Sequence, residues 1–207
     1  RKLRVIFGSA EEIGMQDMKH YFSKEQLPDM GFTPDAEYGV CHCEKGGLNF
    51  RVTGESGPVV TSLSAGTVVN AVPYKALCQI RCTPEERAAL EEKAQGQKAS
   101  FTITATEDGA SIVAVGKAAH AASPQEGVNA VSYLVELLWD VFGEKLGTFF
   151  QFVHEKIGLT YDGSLIGVNL WDEPSGPLTF NLGLMQVNDG AASLTVDIRY
   201  PATKDGE

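Results

Sequence analysis

Two adjacent carboxylates stand near the start of the chain, where a predicted strand ends. Glu11 and Glu12 follow the apolar run Arg4 to Phe7, which is typical of a buried strand. Neighbouring residues at a strand end point in different directions. One carboxylate can therefore hold a metal ion while the other reaches a bound water as general base. By local chemistry alone, such a pair is more often the acidic first turn of a helix.

Asp35 is a second candidate ligand, because it follows Pro34 directly before a predicted strand at 37–43. A carboxylate fixed behind a proline can act as a hard ligand for a metal ion. An aspartate in an ordinary turn is the commoner occurrence.

His120 is the strongest single candidate, because small residues surround it from Gly116 to Pro124. Small neighbours leave space around the imidazole, which suits contact with a ligand, whereas a core histidine would have bulky packing partners. The segment also lies between a predicted strand and a predicted helix, where functional residues collect.

The elements that must position these residues fall into two parts. Residues 1–44 are expected to form a strand–helix–strand remnant of an α/β domain, with the helix at Met15 to Lys24. From Lys45 onward the pattern predicts an α+β fold, with antiparallel strands and helices on one face. The expected helices are 83–95, 129–142 and 148–157, and the expected strands are 48–52, 59–64, 68–69, 75–82, 100–107, 111–117, 165–171, 177–187 and 192–200.

Three local signals support this second part. Thr83 followed by Pro84 and two glutamates is a helix start. Asp108-Gly109 predicts a hairpin. Asn70 and Asn188 are followed at the same spacing by Arg81 and Arg199, which leaves open whether the domain has two related halves.

Composition excludes several classes of partner. The net charge of −10 opposes binding to nucleic acid and to anionic membranes. Four cysteines in 207 residues are too few for a disulfide framework, and we expect free thiols in the cytoplasm. No apolar stretch approaches the roughly 20 residues of a membrane helix.

Four motifs occur in a fixed order along the chain: Phe7-Gly8-Ser9-Ala10-Glu11-Glu12, Pro34-Asp35, Gly116 to Pro124 with Glu126-Gly127-Val128-Asn129-Ala130, and Ile198-Arg199-Tyr200-Pro201. Taken together, they resemble the dinuclear-zinc aminoacylase/dipeptidase metallopeptidases. The spacing is most similar to that of the PepV-type dipeptidases, also described as Xaa-His or carnosinase-like, and the resemblance covers about 4–201.

The resemblance implies a role for each matching residue. Glu11 would be the general base and His120 would stabilise the oxyanion. Glu12 and Asp35 would be metal ligands, and Asn70 and Arg199 would contact the substrate. The implied cofactors are two divalent metal ions, Zn with Mn or Co as alternatives. The implied organisation is a partial catalytic, metal-binding domain at 1–44 and a ferredoxin-like lid domain at 45–201.

The match to this family is incomplete. Ala10 stands where the family often has Asp before the glutamate pair. Only two of the expected metal ligands, Glu12 and Asp35, are in the chain. Because the chain lacks an initial Met and ends just after a predicted strand, we expect it to be a fragment that lacks segments of its catalytic domain. A lid without its catalytic partner would expose apolar surface, so self-association is an expectation.

Two other functions fit the same residues. The first is an amidohydrolase or deacylase that acts on acylated amino acids with the same machinery. The second is a non-catalytic α+β module for dimerisation or binding.

The purified 207-residue chain is expected to show no measurable dipeptidase activity and to bind zinc weakly, because a metal centre needs ligands that it lacks. A dipeptide hydrolysis assay with added zinc checks this expectation. Turnover above the blank would contradict it.

Overall fold

The computed structural model describes residues 2–11, 14–34 and 39–206. The chain divides into two compact units, Arg1–Cys41 and His42–Glu207, which are described separately here.

The first unit contains one helix, α1, at Gln16–Phe22. The predicted helix is thus confirmed, with shorter bounds. The strands predicted at Arg4 to Phe7 and at 37–43 are wrong in their described residues, which belong to no strand. Phe7 is 93% exposed. An apolar run becomes a strand only when a neighbour pairs with it, and no described residue of this unit does so.

The second unit is built on a seven-stranded antiparallel sheet. Its strands are β1 (Gly46–Glu55), β2 (Val60–Ala65), β3 (Lys75–Arg81), β4 (Ser100–Thr106), β5 (Gly109–Val115), β8 (Thr179–Asn188) and β9 (Ala191–Tyr200). Their order across the sheet is β1-β9-β8-β2-β3-β5-β4. Two short strands, β6 (Trp171–Asp172) and β7 (Gly176–Pro177), pair separately. The predicted antiparallel α+β fold is confirmed.

Three helices cover one face of this sheet: α2 (Pro84–Lys93), α3 (Ala130–Phe142) and α4 (Thr148–Lys156). The burial pattern shows the covered face, because β3 alternates strictly between buried and exposed residues. The inward residues of the strands and the helices form one core, which includes Ile112, Leu134, Phe150 and Leu194.

Local sequence explains where the helices begin. The Thr83 hydroxyl accepts the Glu86 N–H at 3.2 Å, and the Glu86 carboxylate accepts the Thr83 N–H at 3.0 Å. This is a capping box, as the helix-start signal indicated. Asn129 caps α3 with its side-chain oxygen, which satisfies backbone donors that the first turn leaves unpaired.

Two hairpins set the register of the sheet. The predicted turn between β4 and β5 is confirmed, with Glu107 and Asp108 in the loop and Thr106 opposite Gly109. Asp189 and Gly190 join β8 to β9, with φ of 47° and 85°. Positive φ at both positions is characteristic of the type I′ turn, a favoured two-residue hairpin loop.

The seven strands form one continuous sheet. The two asparagines that begin the repeated spacing, Asn70 and Asn188, do not occupy equivalent positions in the fold. Asn70 lies in a turn outside the strands, whereas Asn188 is the last residue of β8.

Two other predicted strands are wrong. Residues 68–69 lie in the loop after β2. Residues 165–171 begin inside a 3₁₀ turn, Ser164–Ile166, and reach a strand only at Trp171. Gly163 and Gly167 have φ of 69° and 77°, which ends an extended conformation on both sides of the turn.

Among the described residues, no helix has the length and apolar character that crossing a membrane requires.

Replacing Leu134 with Ala should lower the free energy of unfolding by about 2–5 kcal/mol, because the side chain of Leu134, a residue of α3, is fully buried in the core. Urea unfolding measures this change. Leu77→Ala is the matched control on the uncovered face, where Leu77 is 47% exposed. It should change the stability by about 0.5 kcal/mol or less. Equal losses of unfolding free energy in Leu134→Ala and Leu77→Ala would contradict a sheet that is covered by helices on one face only.

Candidate active site

The loop that carries Asn70 leaves β2 and runs beside β8. β2 pairs with β8 only as far as Ala65 opposite Met185. Beyond that point the chain turns at Gly66, with φ of 79°, and continues as a loop to β3. A Cβ built on Gly183 of β8 would lie 2.2 Å from the Val69 carbonyl oxygen. Glycine at position 183 therefore lets the loop approach the strand closely.

The loop that carries His120 lies against the Asn70 loop. Ala71 and His120 form an isolated antiparallel bridge. The Val72 N–H donates to the Ala119 carbonyl at 2.8 Å, and the Ala121 N–H donates to the Asn70 carbonyl at 3.0 Å. The structure thus brings two of the candidate residues, Asn70 and His120, onto paired backbone segments.

The imidazole of His120 is exposed and has a defined tautomer. Its Nδ1 accepts the Ala122 N–H at 3.1 Å. A backbone N–H can only donate, so Nδ1 carries no proton in this arrangement. The neutral ring then has its proton on Nε2. His120 therefore offers an N–H donor at the ring nitrogen that the loop does not use.

Arg199 lies on β9 and is oriented by a buried carboxylate. Its Nε and Nη2 donate to Asp197 Oδ1 and Oδ2 at 2.8 and 3.3 Å. Asp197 is 2% exposed, whereas the Arg199 side chain is 30% exposed. A Cβ on Gly47 would lie 3.5 Å from Arg199 Nη1, so the guanidinium passes over a residue without a side chain. A two-point contact of this kind fixes the guanidinium plane.

Arg199 is joined to the histidine loop through β8. It is the register partner of Thr179, and residues directly opposite each other in a sheet share a face. The Thr179 hydroxyl donates to the Ala121 carbonyl at 3.1 Å. One strand thus separates Arg199 from the loop that carries His120.

A cleft of about 490 Å³ opens beside the same loop, with Ala122 and Thr179 in its wall. Lys45, Gln125 and Asp162 also line it. Its volume is within the range of small-molecule sites. The described residues therefore place a cation, a carboxylate and an amide around one space.

The charged groups of the cleft are held by their surroundings. Burial lowers the pKa of Lys45, although the charge of Asp172 opposes that change. Lys45 Nζ donates a hydrogen bond to the Pro177 carbonyl. Hydrogen bonds from Ser164 hold the pKa of Asp162 below its ordinary value. Asp162 is therefore ionised at neutral pH.

Asp172 anchors the chain beside Lys45. Its carboxylate accepts the Ser175 hydroxyl at 2.7 Å and the Thr203 N–H at 2.8 Å. Burial acts to raise the pKa of Asp172, but these hydrogen bonds outweigh it and hold the pKa well below the ordinary value. Asp172 is therefore the counter-ion that Lys45 meets at neutral pH.

The remaining predicted residues belong to the first unit. Glu11 is exposed, and its carbonyl accepts the Gly14 N–H at 3.3 Å. Asp17 of α1 accepts the N–H groups of Ser9 and Ala10, and the Ser9 bond is the main reason that the pKa of Asp17 is lowered. The predicted metal ligands Glu12 and Asp35 lie outside the described residues.

Within 2–11, 14–34 and 39–206, no three histidine, cysteine, aspartate or glutamate side chains come together as a metal site would require. The described residues therefore do not form a metal centre by themselves.

Sequence reasoning missed three supporting residues: Thr179, Asn181 and Asp197. They are 6%, 1% and 2% exposed. The available signal was a polar residue inside an otherwise apolar strand, which stays buried only when it has a hydrogen-bond partner.

Comparison with known proteins gives relatives along the whole chain. No protein-family model matches. The chain is 30% identical to the protein named "Putative dipeptidase YtjP" of Bacillus subtilis, over 100% of this chain and 47% of that protein. The chain is similar to bacterial proteins that are named as dipeptidases.

Two further relatives agree with this similarity. "Beta-Ala-Xaa dipeptidase" of Lactobacillus delbrueckii is 27% identical over 99% of this chain and 46% of its own length. "Putative dipeptidase SSP1012" of Staphylococcus saprophyticus is 26% identical over 97% and 46%. The chain spans about half the length of the curated relatives that it matches.

Replacing Asp197 with Asn should lower the free energy of unfolding by about 1–3 kcal/mol, because the buried amide can accept only one of the two hydrogen bonds that Arg199 donates and carries no charge. Urea unfolding measures the loss. The matched control is Asp140→Asn, whose partner Lys93 lies 3.9 Å away with both side chains about half exposed. The control should lose about 0.5 kcal/mol or less. If Asp140→Asn lowers the free energy of unfolding as much as Asp197→Asn does, the assignment of Asp197 as the buried partner of Arg199 would be contradicted.

Proposed function

We propose that this chain is part of a metal-dependent dipeptidase and supplies its substrate-covering lid, with Asn70, His120 and Arg199 facing the substrate. The observation that carries the proposal is the similarity, along the whole chain, to proteins named as dipeptidases. The geometry around His120 supports it, because an exposed N–H donor lies on the segment paired with that of Asn70.

In this reaction the chain's residues do three things. The peptide carbonyl oxygen gains negative charge when water adds to the carbonyl carbon, and His120 Nε2–H donates a hydrogen bond to it. Arg199 and Asn70 hold the substrate, and the guanidinium is already oriented by Asp197. Glu11 takes a proton from the attacking water and delivers it to the leaving amine as the C–N bond breaks.

Two divalent metal ions, zinc in our proposal, would supply activation of the water, with Glu12 and Asp35 among their ligands. The remaining ligands would come from segments outside this chain. We further propose that the protein acts in the cytoplasm.

We infer that the cleft beside the His120 loop takes the charged ends of the substrate and so favours a dipeptide over an acylated amino acid, although Asn70, His120 and Arg199 are not part of its lining. Lys45 and Asp162 place charges of both signs around it. A free dipeptide carries an ammonium group and a carboxylate, whereas an N-acyl amino acid has no ammonium group. Electrostatic complementarity of this kind selects among substrates of similar size.

The test is made with the full-length protein that contains this chain and with a panel of dipeptides and N-acetyl amino acids. His120→Ala should lower kcat by about 10²–10³-fold, because one donor to the oxyanion is lost. The matched control is His20→Ala, since His20 is an exposed histidine of α1, and it should leave kcat within about twofold.

Metal removal tests the metal dependence, and the substrate panel separates the dipeptidase from the deacylase. Chelation should abolish turnover, and added zinc should restore it. Hydrolysis of N-acetyl amino acids without hydrolysis of dipeptides would favour the deacylase. Absence of both activities in the metal-loaded protein would sink the catalytic proposal and leave a binding module.

A further inference from the structure

Strand β8 carries two buried polar side chains that reach outside the sheet. Thr179 and Asn181 are two positions apart, and their register partners on β9 are Arg199 and Asp197. Alternate residues of a strand share a face. Both pairs therefore lie on the same face, at the end of β8 where β2 no longer pairs with it.

Their hydrogen bonds end on the two candidate loops. Asn181 Nδ2 donates to the carbonyls of Val69 and Ala71 at 3.1 and 3.0 Å, the residues on either side of Asn70. The Thr179 hydroxyl donates to the carbonyl of Ala121 at 3.1 Å, the residue after His120. Three hydrogen bonds from one strand thus hold both loops.

These bonds replace a missing stretch of sheet. Where β2 ends at Ala65, the loop that follows it has no ladder of backbone bonds to β8. Asn181 supplies two side-chain donors there, and the absence of a side chain at Gly183 admits the loop backbone. Asn181 therefore supplies bonds between the loop and β8 that a backbone ladder would otherwise supply, and a single substitution can remove them.

The amide of Asn181 is suited to this task alone. Both of its N–H donors are used, whereas its Oδ1 is buried without a hydrogen-bond partner among the described residues. A buried polar atom without a partner is unfavourable. An apolar side chain at position 181 would avoid that cost, but it would remove both bonds to the loop carbonyls.

We propose that Thr179 and Asn181 are positioning residues, which fix Asn70 and His120 relative to Arg199. This inference rests on the proposed function for its catalytic consequence. Its structural part, that β8 clamps the two loops, stands independently of any activity.

The structural part is tested by amide hydrogen exchange, followed by NMR, on the 207-residue chain. Thr179→Val and Asn181→Asp should each speed exchange at least tenfold at the amides of Val72 and Ala121, which join the two loops. The amide of Ile112 in the core should not change. Asn188→Asp makes the same chemical change at the exposed end of β8 and is the control.

Each result of this experiment decides the question. Unchanged exchange at both loop amides in both variants would overturn the clamp. If Asn181→Asp unfolds the whole chain, Thr179→Val decides alone, because it preserves the shape of the side chain. Thr179→Ser keeps a hydroxyl at this position, so exchange at the amides of Val72 and Ala121 should be as slow as in the unsubstituted chain. Fast exchange in Thr179→Ser would count against the hydrogen bond as the cause.

The catalytic part is tested in the full-length protein with a dipeptide. Thr179→Val should lower kcat/KM about tenfold, and Thr179→Ser should recover most of it. In a His120→Ala background, Thr179→Val should have little further effect, because it acts through His120. Full additivity of the two changes would overturn the positioning role.

The two arms distinguish the possible failures. If the full-length protein hydrolyses no dipeptide, the proposed function fails and the exchange result still decides the clamp. If it hydrolyses dipeptides and Thr179→Val retains the original kcat/KM, the positioning inference fails and the proposed function stands.

Discussion

The need of buried polar groups for hydrogen-bond partners determines how the candidate site is assembled. Thr179 and Asn181 are almost completely buried on β8, and their donors find acceptors only where the chain brings carbonyl groups beside the strand. Those carbonyls belong to the loops of Asn70 and His120. The loops, in turn, bond to each other through backbone groups.

The same requirement orders the remaining polar residues of the site. Asp197 is buried and holds Arg199 by two contacts, and a backbone N–H sets the tautomer of His120. A site that is oriented before its ligand arrives avoids the cost of ordering side chains during binding and reaction. The covered face of the sheet contributes stability, and the opposite face carries these polar groups.

Much of the fold follows from patterns along the chain. Thr83-Pro84 and the periodicity of 129–142 predict α2 and α3, and alternation predicts most strands of the large sheet. The failures have local causes. An apolar run at 4–7 has no pairing partner among the described residues, and glycines at 163 and 167 interrupt an apolar segment that otherwise favours a strand. Pairing and backbone conformation of this kind do not appear in hydrophobic periodicity.

The sequence by itself singled out His120, because small neighbours depend only on local order, and the family resemblance implied Asn70 and Arg199 as substrate contacts. Tertiary structure decided that the segments of Asn70 and His120 pair and that β8 links them to Arg199. It also decided that Thr179, Asn181 and Asp197 hold these residues in place. Those contacts join positions up to 112 residues apart, and burial exists only after the sheet has formed. A polar residue in a strand therefore acquires its partner, and its role, from the fold.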